Sequence, residues 1–187
     1  MKKQYFIQFS DQSAQQDLLI PKDTFEVVEI GIRDIDTGFL YPIIQNMLNF
    51  PLFFVVDSDL FGDFTRIASK LNIPHCNHSS TCISIRVDDI NTLAELGSHT
   101  VDLVLAGMEV FIFSGQGLSE KDLYPTRNNN GLVEFKSVDI SNTHSIIIVN
   151  EVGLTLYSRD TNEYSFKKLK RSIPEDYLFD SDGSTLN

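Results

Sequence analysis

The chain has no tryptophan, two cysteines, six prolines and only fifteen lysines and arginines against twenty-six aspartates and glutamates. Each shortage excludes something. Two cysteines cannot supply a disulfide framework. No apolar stretch reaches the roughly 18 residues that a helix needs to span a bilayer. The first residues, Met1-Lys2-Lys3-Gln4-Tyr5-Phe6, lack the long apolar region of a secretory signal, so a cytoplasmic setting is expected. The shortage of cations leaves a formal charge of −11 and a pI near 4.6. A protein of that charge repels phosphate backbones, which argues against gripping nucleic acid across a broad face.

What is present is core material. Apolar residues make up 42% of the 187-residue chain, with 14 Phe and 6 Tyr. That is enough to bury a core, and the length corresponds to about one domain. The acidic excess is six over residues 1–100 and five over residues 101–187, so it is not a tail effect. One local run differs: Lys167, Lys168, Lys170 and Arg171 are followed by Glu175, Asp176, Asp180 and Asp182. It reads as a solvated strand end leading into an acidic tail. The expected organisation is a single domain over residues 1–171 and a flexible acidic tail over 172–187.

Strands are expected at Tyr5–Phe9, Phe25–Arg33, Leu52–Val56, Cys82–Val87 and Val110–Phe113, from β-branched and aromatic runs or strict alternation. Ile43, Ile44, Met47 and Leu48 follow helical spacing, with Pro42 placed in the first turn. Leu60, Phe61, Phe64, Ile67, Ala68 and Leu71 share one helical face, with Asp59 as N-cap and Pro74 as stop. Thr92 with Glu95 suggests a capping box for a helix through Leu93 and Leu96, in which Gly97 sits badly. Ser145–Val149, Leu154–Tyr157 and Tyr164–Leu169, joined by two tight turns, read as an antiparallel meander. The expected fold is α+β: a mixed to mainly antiparallel sheet, helices packed on one face, and a C-terminal meander.

Three segments could carry chemistry. The first is Phe53-Phe54-Val55-Val56-Asp57-Ser58-Asp59, an apolar strand ending in Asp-x-Asp. Paired carboxylates there can hold Mg²⁺ or Mn²⁺ and through it a phosphate. The string resembles the first motif of the haloacid-dehalogenase-like phosphatases, and also the Asp-x-Asp motif of nucleotide-sugar glycosyltransferases. Phe111-Ile112-Phe113-Ser114-Gly115 resembles the second phosphatase motif, a strand ending in a hydroxyl. These resemblances imply a metal-dependent phosphohydrolase or glycosyltransferase using Asp57 and Asp59. The competing account is local: Asp59 and Asp63 serve the start of the following helix, and Asp57 occupies the turn before it.

The second segment, His75-Cys76-Asn77-His78-Ser79-Ser80-Thr81-Cys82, holds both cysteines and two of four histidines. Thiolate and imidazole suit zinc, but structural sites draw a second ligand pair from a distant segment, and no cysteine remains for it. A Cys–His nucleophilic pair would need a third group to orient the base. The expected state is a polar loop, with Cys82 entering the next strand. The third segment, Ser114-Gly115-Gln116-Gly117-Leu118-Ser119-Glu120, lacks both the third Gly of a dinucleotide fingerprint and the Gly-Lys-Ser/Thr of a P-loop.

No catalytic set assembles from spacing, and no metal or cofactor is expected. Uniform acidity attracts basic proteins and steers their approach. The expected function is that of an acidic inhibitor, a bacterial immunity protein or antitoxin neutralising a basic toxin such as a nuclease. The expected contacts are loop acids: Asp34, Asp36, Asp57, Asp59, Asp63, Asp88 and Asp89.

Overall fold

The computed structural model describes residues 3–9, 25–32, 35–57, 62–127, 129, 133–135, 143–151, 153–159 and 162–179, with only the backbone described for 3–9, 63, 162–166, 178 and 179. In chain order the elements are β1 (Lys3–Phe9), β2 (Glu26–Ile32), α1 (Thr37–Met47), β3 (Leu52–Asp57), α2 (Gly62–Lys70), β4 (His75–Asn77), β5 (Cys82–Val87), α3 (Ile90–Leu105), β6 (Val110–Gly115), β7 (Thr126–Arg127), β8 (Val133–Glu134), β9 (Thr143–Asn150), β10 (Gly153–Ser158), α4 (Asn162–Ser172) and β11 (Tyr177–Phe179). Nine strands form one sheet in the order β11-β1-β2-β10-β9-β6-β3-β5-β4. The β1–β11 pair is parallel, and the other neighbours are antiparallel. β7 and β8 pair separately. The expected α+β class, with a mainly antiparallel sheet, is what the chain adopts.

The central strands are buried on both faces, which explains their continuous apolar runs. On β3, Phe54 and Val56 join the helix-side core while Phe53 and Val55 point the other way; all four are 0% exposed. β6 divides in the same fashion, Val110 and Ile112 against Phe111 and Phe113. Side chains from all four helices enter the same helix-side cluster, among them Phe39, Phe64, Leu93 and Leu169, so the helices cover one face as expected. The opposite face is closed by Leu123, Val133 and Phe135, with Leu118 packed against them. The Phe135 ring stands edge-on to Phe111 and Phe113, with centroids 5.5 and 4.8 Å away. Each such buried aromatic contributes about 1.5–3 kcal/mol through burial.

Four local expectations are corrected. Residues 164–169 are not a third meander strand but part of α4. The hairpin β9–β10 exists, and the apolar residues after it fall at helical spacing. Leu169, Ser172 and Ile173 are buried on one stripe, so packing on the helix-side core overrode the alternation of Tyr164 and Phe166. Pro42 lies inside α1, which starts at Thr37 with Asp36 as N-cap, its carboxylate accepting from the Phe39 N–H at 2.9 Å. α3 starts two residues before Thr92, at Ile90, with Asp89 as N-cap. Asp89 accepts from the Asn91 and Thr92 N–H groups and from the Thr92 hydroxyl, so the capping box does not form. His75–Asn77 is an edge strand rather than loop.

Gly97 does not interrupt α3. The ring of Tyr41 lies where a side chain at 97 would be: an added Cβ would stand 2.1 Å from Tyr41 Cε2. The glycine costs the helix about 1 kcal/mol relative to alanine and lets α1 and α3 approach. The chain is also ordered into the sheet beyond residue 171. Tyr177 is buried, its ring lies 5.1 Å from Phe39, and its hydroxyl donates to Asp36 at 2.6 Å. Of the expected tail, residues 180–187 lie outside the described residues, as do Asp34 and Asp59.

Candidate functional site

Register fixes where the loop acids go. β3 ends at Asp57, opposite Cys82 of β5, while Leu52 pairs with Val87. Val56 pairs with Val110, so Glu109 lies beside the Asp57 end. Val110 pairs with Val149, and the β9–β10 turn brings Glu151 to the same end. Gly153 pairs with Gly31, so β2 runs out there toward Asp36. Lys3 pairs with Tyr177, which adds Glu175 and Asp176. Six carboxylates (Asp36, Asp57, Glu109, Glu151, Glu175 and Asp176) thus line one end of the sheet. Asp88 and Asp89 follow Val87 and lie at the opposite end, about 20 Å away for a six-residue strand. Of the remaining expected contacts, the side chain of Asp63 is, like Asp34 and Asp59, outside the description.

These acids are not equivalent. Asp36 caps α1 and accepts from Tyr177, so it has a structural duty. Asp57 is half-buried and accepts from the Thr81 hydroxyl at 3.1 Å. Glu151, Glu175 and Asp176 are exposed. At the far end, Asp88 pairs with Arg86 at 2.8 Å, both about half exposed. Asp89 is held below the usual carboxylate range by the Thr92 backbone N–H first, then by its hydroxyl. Sequence reasoning missed Glu109, Glu151, Glu175 and Asp176, because each alone reads as an ordinary turn acid. Only the strand order shows that they share an end.

The antiparallel pairing of β3 and β6 also bears on the phosphatase resemblance. Ser114 pairs with Leu52, at the opposite end of β3 from Asp57. The two groups that would have to meet around one phosphate are therefore separated by the strand's length. Ser114 is buried and occupied: its hydroxyl donates to the Asn49 carbonyl at 2.8 Å and accepts from the Asn49 N–H at 3.0 Å. Among the described residues, no group of three or more His, Cys, Asp or Glu side chains is placed to hold a metal ion.

The His–Cys segment forms a compact polar cluster on the face away from the helices. Cys76 pairs across the edge with Ser84, and the His78 N–H bonds to the Cys82 carbonyl. The Ser84 hydroxyl donates to the Glu120 carbonyl, so its oxygen is left to accept from His78 Nε2, 2.8 Å away. Nε2 also lies 3.1 Å from the Glu120 carbonyl oxygen. This assigns the ring proton to Nε2 and turns the Nδ1 lone pair toward Cys76 Sγ at 3.9 Å. Burial pulls the His78 pKa below the ordinary imidazole value, with the Glu120 carbonyl opposing. The Tyr124 ring tilts over His78 at 5.4 Å. The third group that sequence spacing could not supply is thus Ser84 with a main-chain carbonyl from the glycine-rich turn. Cys82 is inert: burial, then Asp57 and Cys76, push its thiol up to about 12.

No known family model, curated protein or solved structure matches this chain. No helix among the described residues is long and apolar enough to cross a membrane.

Proposed function

We propose that this protein binds a basic protein through the acidic end of its sheet, and that it acts as an immunity protein or antitoxin, covering the cationic active site of a toxin such as a nuclease. The observation that carries this reading is the gathering of Asp36, Asp57, Glu109, Glu151, Glu175 and Asp176 at one end, in a chain of charge −11. Carboxylates so arranged present negative charge where a nuclease would hold phosphates, and they speed encounter with a positive patch. Asp57 and its neighbours form this face. Asp88 and Asp89 lie at the opposite end of the sheet, outside this face.

The test uses the full chain and any basic protein found to be encoded beside its gene. The two co-purify at low salt, and association slows as ionic strength rises. Charge reversal at Glu151 and Asp176 lowers the association rate about tenfold, while reversal at Asp88 changes it far less. Binding that is indifferent to salt and to all these acids would overturn the proposal.

A further inference from the structure

In this acidic chain, four of the fifteen basic residues fall within five positions, Lys167, Lys168, Lys170 and Arg171. The sequence pattern suggested a strand end, which would have sent neighbouring side chains to opposite faces. The α-helix instead groups them: Lys168, Arg171 and Ser172 follow i, i+3, i+4 spacing, and Lys167 lies one turn before Arg171. These three cations and Ser172, with Asn46 from α1, line a cavity of about 300 Å³ between the two helices.

Two simpler accounts fall short. Basic residues in a last turn complement the helix dipole, which explains Lys170 and Arg171. Lys167 and Lys168 stand a turn earlier, where that effect has faded. Solvation of a surface run explains charges that point outward into water. It does not explain why three of them border one concavity with an amide and a hydroxyl.

We infer that the α1–α4 cavity is a binding site for a small phosphorylated molecule. The Arg171 guanidinium offers a planar fork matched to two phosphate oxygens, and the Lys167 and Lys168 ammonium groups add positive charge beside it. The Asn46 amide adds a neutral donor on the facing wall. The Ser172 hydroxyl donates to the Lys168 carbonyl at 2.8 Å, so it shapes the wall and holds the helix turn instead of reaching for the ligand. The volume stands at the lower limit of small-molecule pockets, about 300–1,000 Å³, so the ligand is a compact phosphorylated metabolite and not a long polymer. The site is separate from the acidic end: Asp36 and Asn46 stand at opposite ends of α1, roughly 15 Å apart at 1.5 Å per residue.

The experiment is calorimetry and thermal melting of the full chain, with pyrophosphate as the probe. Saturable binding is expected, with a rise in melting temperature that sodium sulfate at matched ionic strength does not reproduce. Replacing Lys168 and Arg171 by glutamine weakens pyrophosphate binding about tenfold or more, while Lys121→Gln, an exposed lysine elsewhere, leaves it unchanged. Because the double variant could lose stability by itself, Lys167→Gln is measured alongside and weakens binding less. No saturable binding to the native chain would overturn the assignment, as would undiminished binding in both variants. Attachment to phosphatidylglycerol vesicles without pyrophosphate binding would overturn it too, by pointing to a membrane surface. None of these results depends on the acidic-end reading, which is tested with a protein partner.

Discussion

A methyl group added at Gly97 would stand 2.1 Å from Cε2 of Tyr41, closer than any real Cβ contact. The ring is held in place because Tyr41 packs against the helix-side core. Gly97→Ala is therefore expected to destabilise the fold by about 1–3 kcal/mol, the usual cost of overpacking. That holds although alanine is the better helix former. In a Tyr41→Ala background the penalty should vanish or reverse, because the propensity gain of about 1 kcal/mol is then unopposed. Urea denaturation of the four proteins in this cycle measures it, and equal penalties in both backgrounds would contradict the contact. From the sequence Gly97 looks like a flaw in a helix, because the residue that explains it lies 56 positions away in another helix.

At the scale of elements, the ends of helices set where the sequence is legible. α1 and α3 both start on an aspartate whose carboxylate accepts main-chain N–H groups. For α3 this has a pH consequence. The folded pKa of Asp89 is lowered by bonds to Thr92 and Asn91, against an unfolded value of about 3.9. The carboxylate's contribution is thus complete above about pH 3.9 and is lost as pH falls through the lowered folded value. The melting-temperature gap between the native protein and Asp89→Ala should be constant near neutrality and should narrow below about pH 4. A gap unchanged into strong acid would show that the charge is irrelevant to the cap. The sequence carries both aspartates plainly but does not say which of several Asp, Ser and Thr residues begins the helix. The capping-box pattern points to Thr92, whereas the backbone enters the helix at Asp89. Residues 164–169 read as a strand from their alternation, yet they belong to α4. Burial of Leu169, Ser172 and Ile173 on one helical stripe is what favours the helix.

At the scale of the molecule, charge is distributed by topology. Antiparallel pairing sends alternate connections to opposite ends of the sheet, and six described acids fall at one of them. Mutual repulsion there opposes folding and is screened by salt. The melting temperature should therefore rise between about 10 mM and about 1 M sodium chloride, as the Debye length falls from about 30 to about 3 Å. A fall would mean that attractive ion pairs outweigh the repulsion. The basic residues of α4 lie apart from that end.

The sequence by itself determined the α+β class, the central strands and the charge, because burial on both faces of β3, β6 and β9 demands short continuous apolar runs, here bounded by turn residues and rich in β-branched and aromatic side chains. It also determined that the helices share one face. The tertiary structure alone decided which distant residues meet: Tyr41 with Gly97, Tyr177 with Asp36, and Ser84 and Glu120 with His78. It also separated Ser114 from Asp57, which the linear motifs had suggested as partners. The physical reason is that local sequence encodes period and capping, whereas strand order and direction arise from long-range pairing.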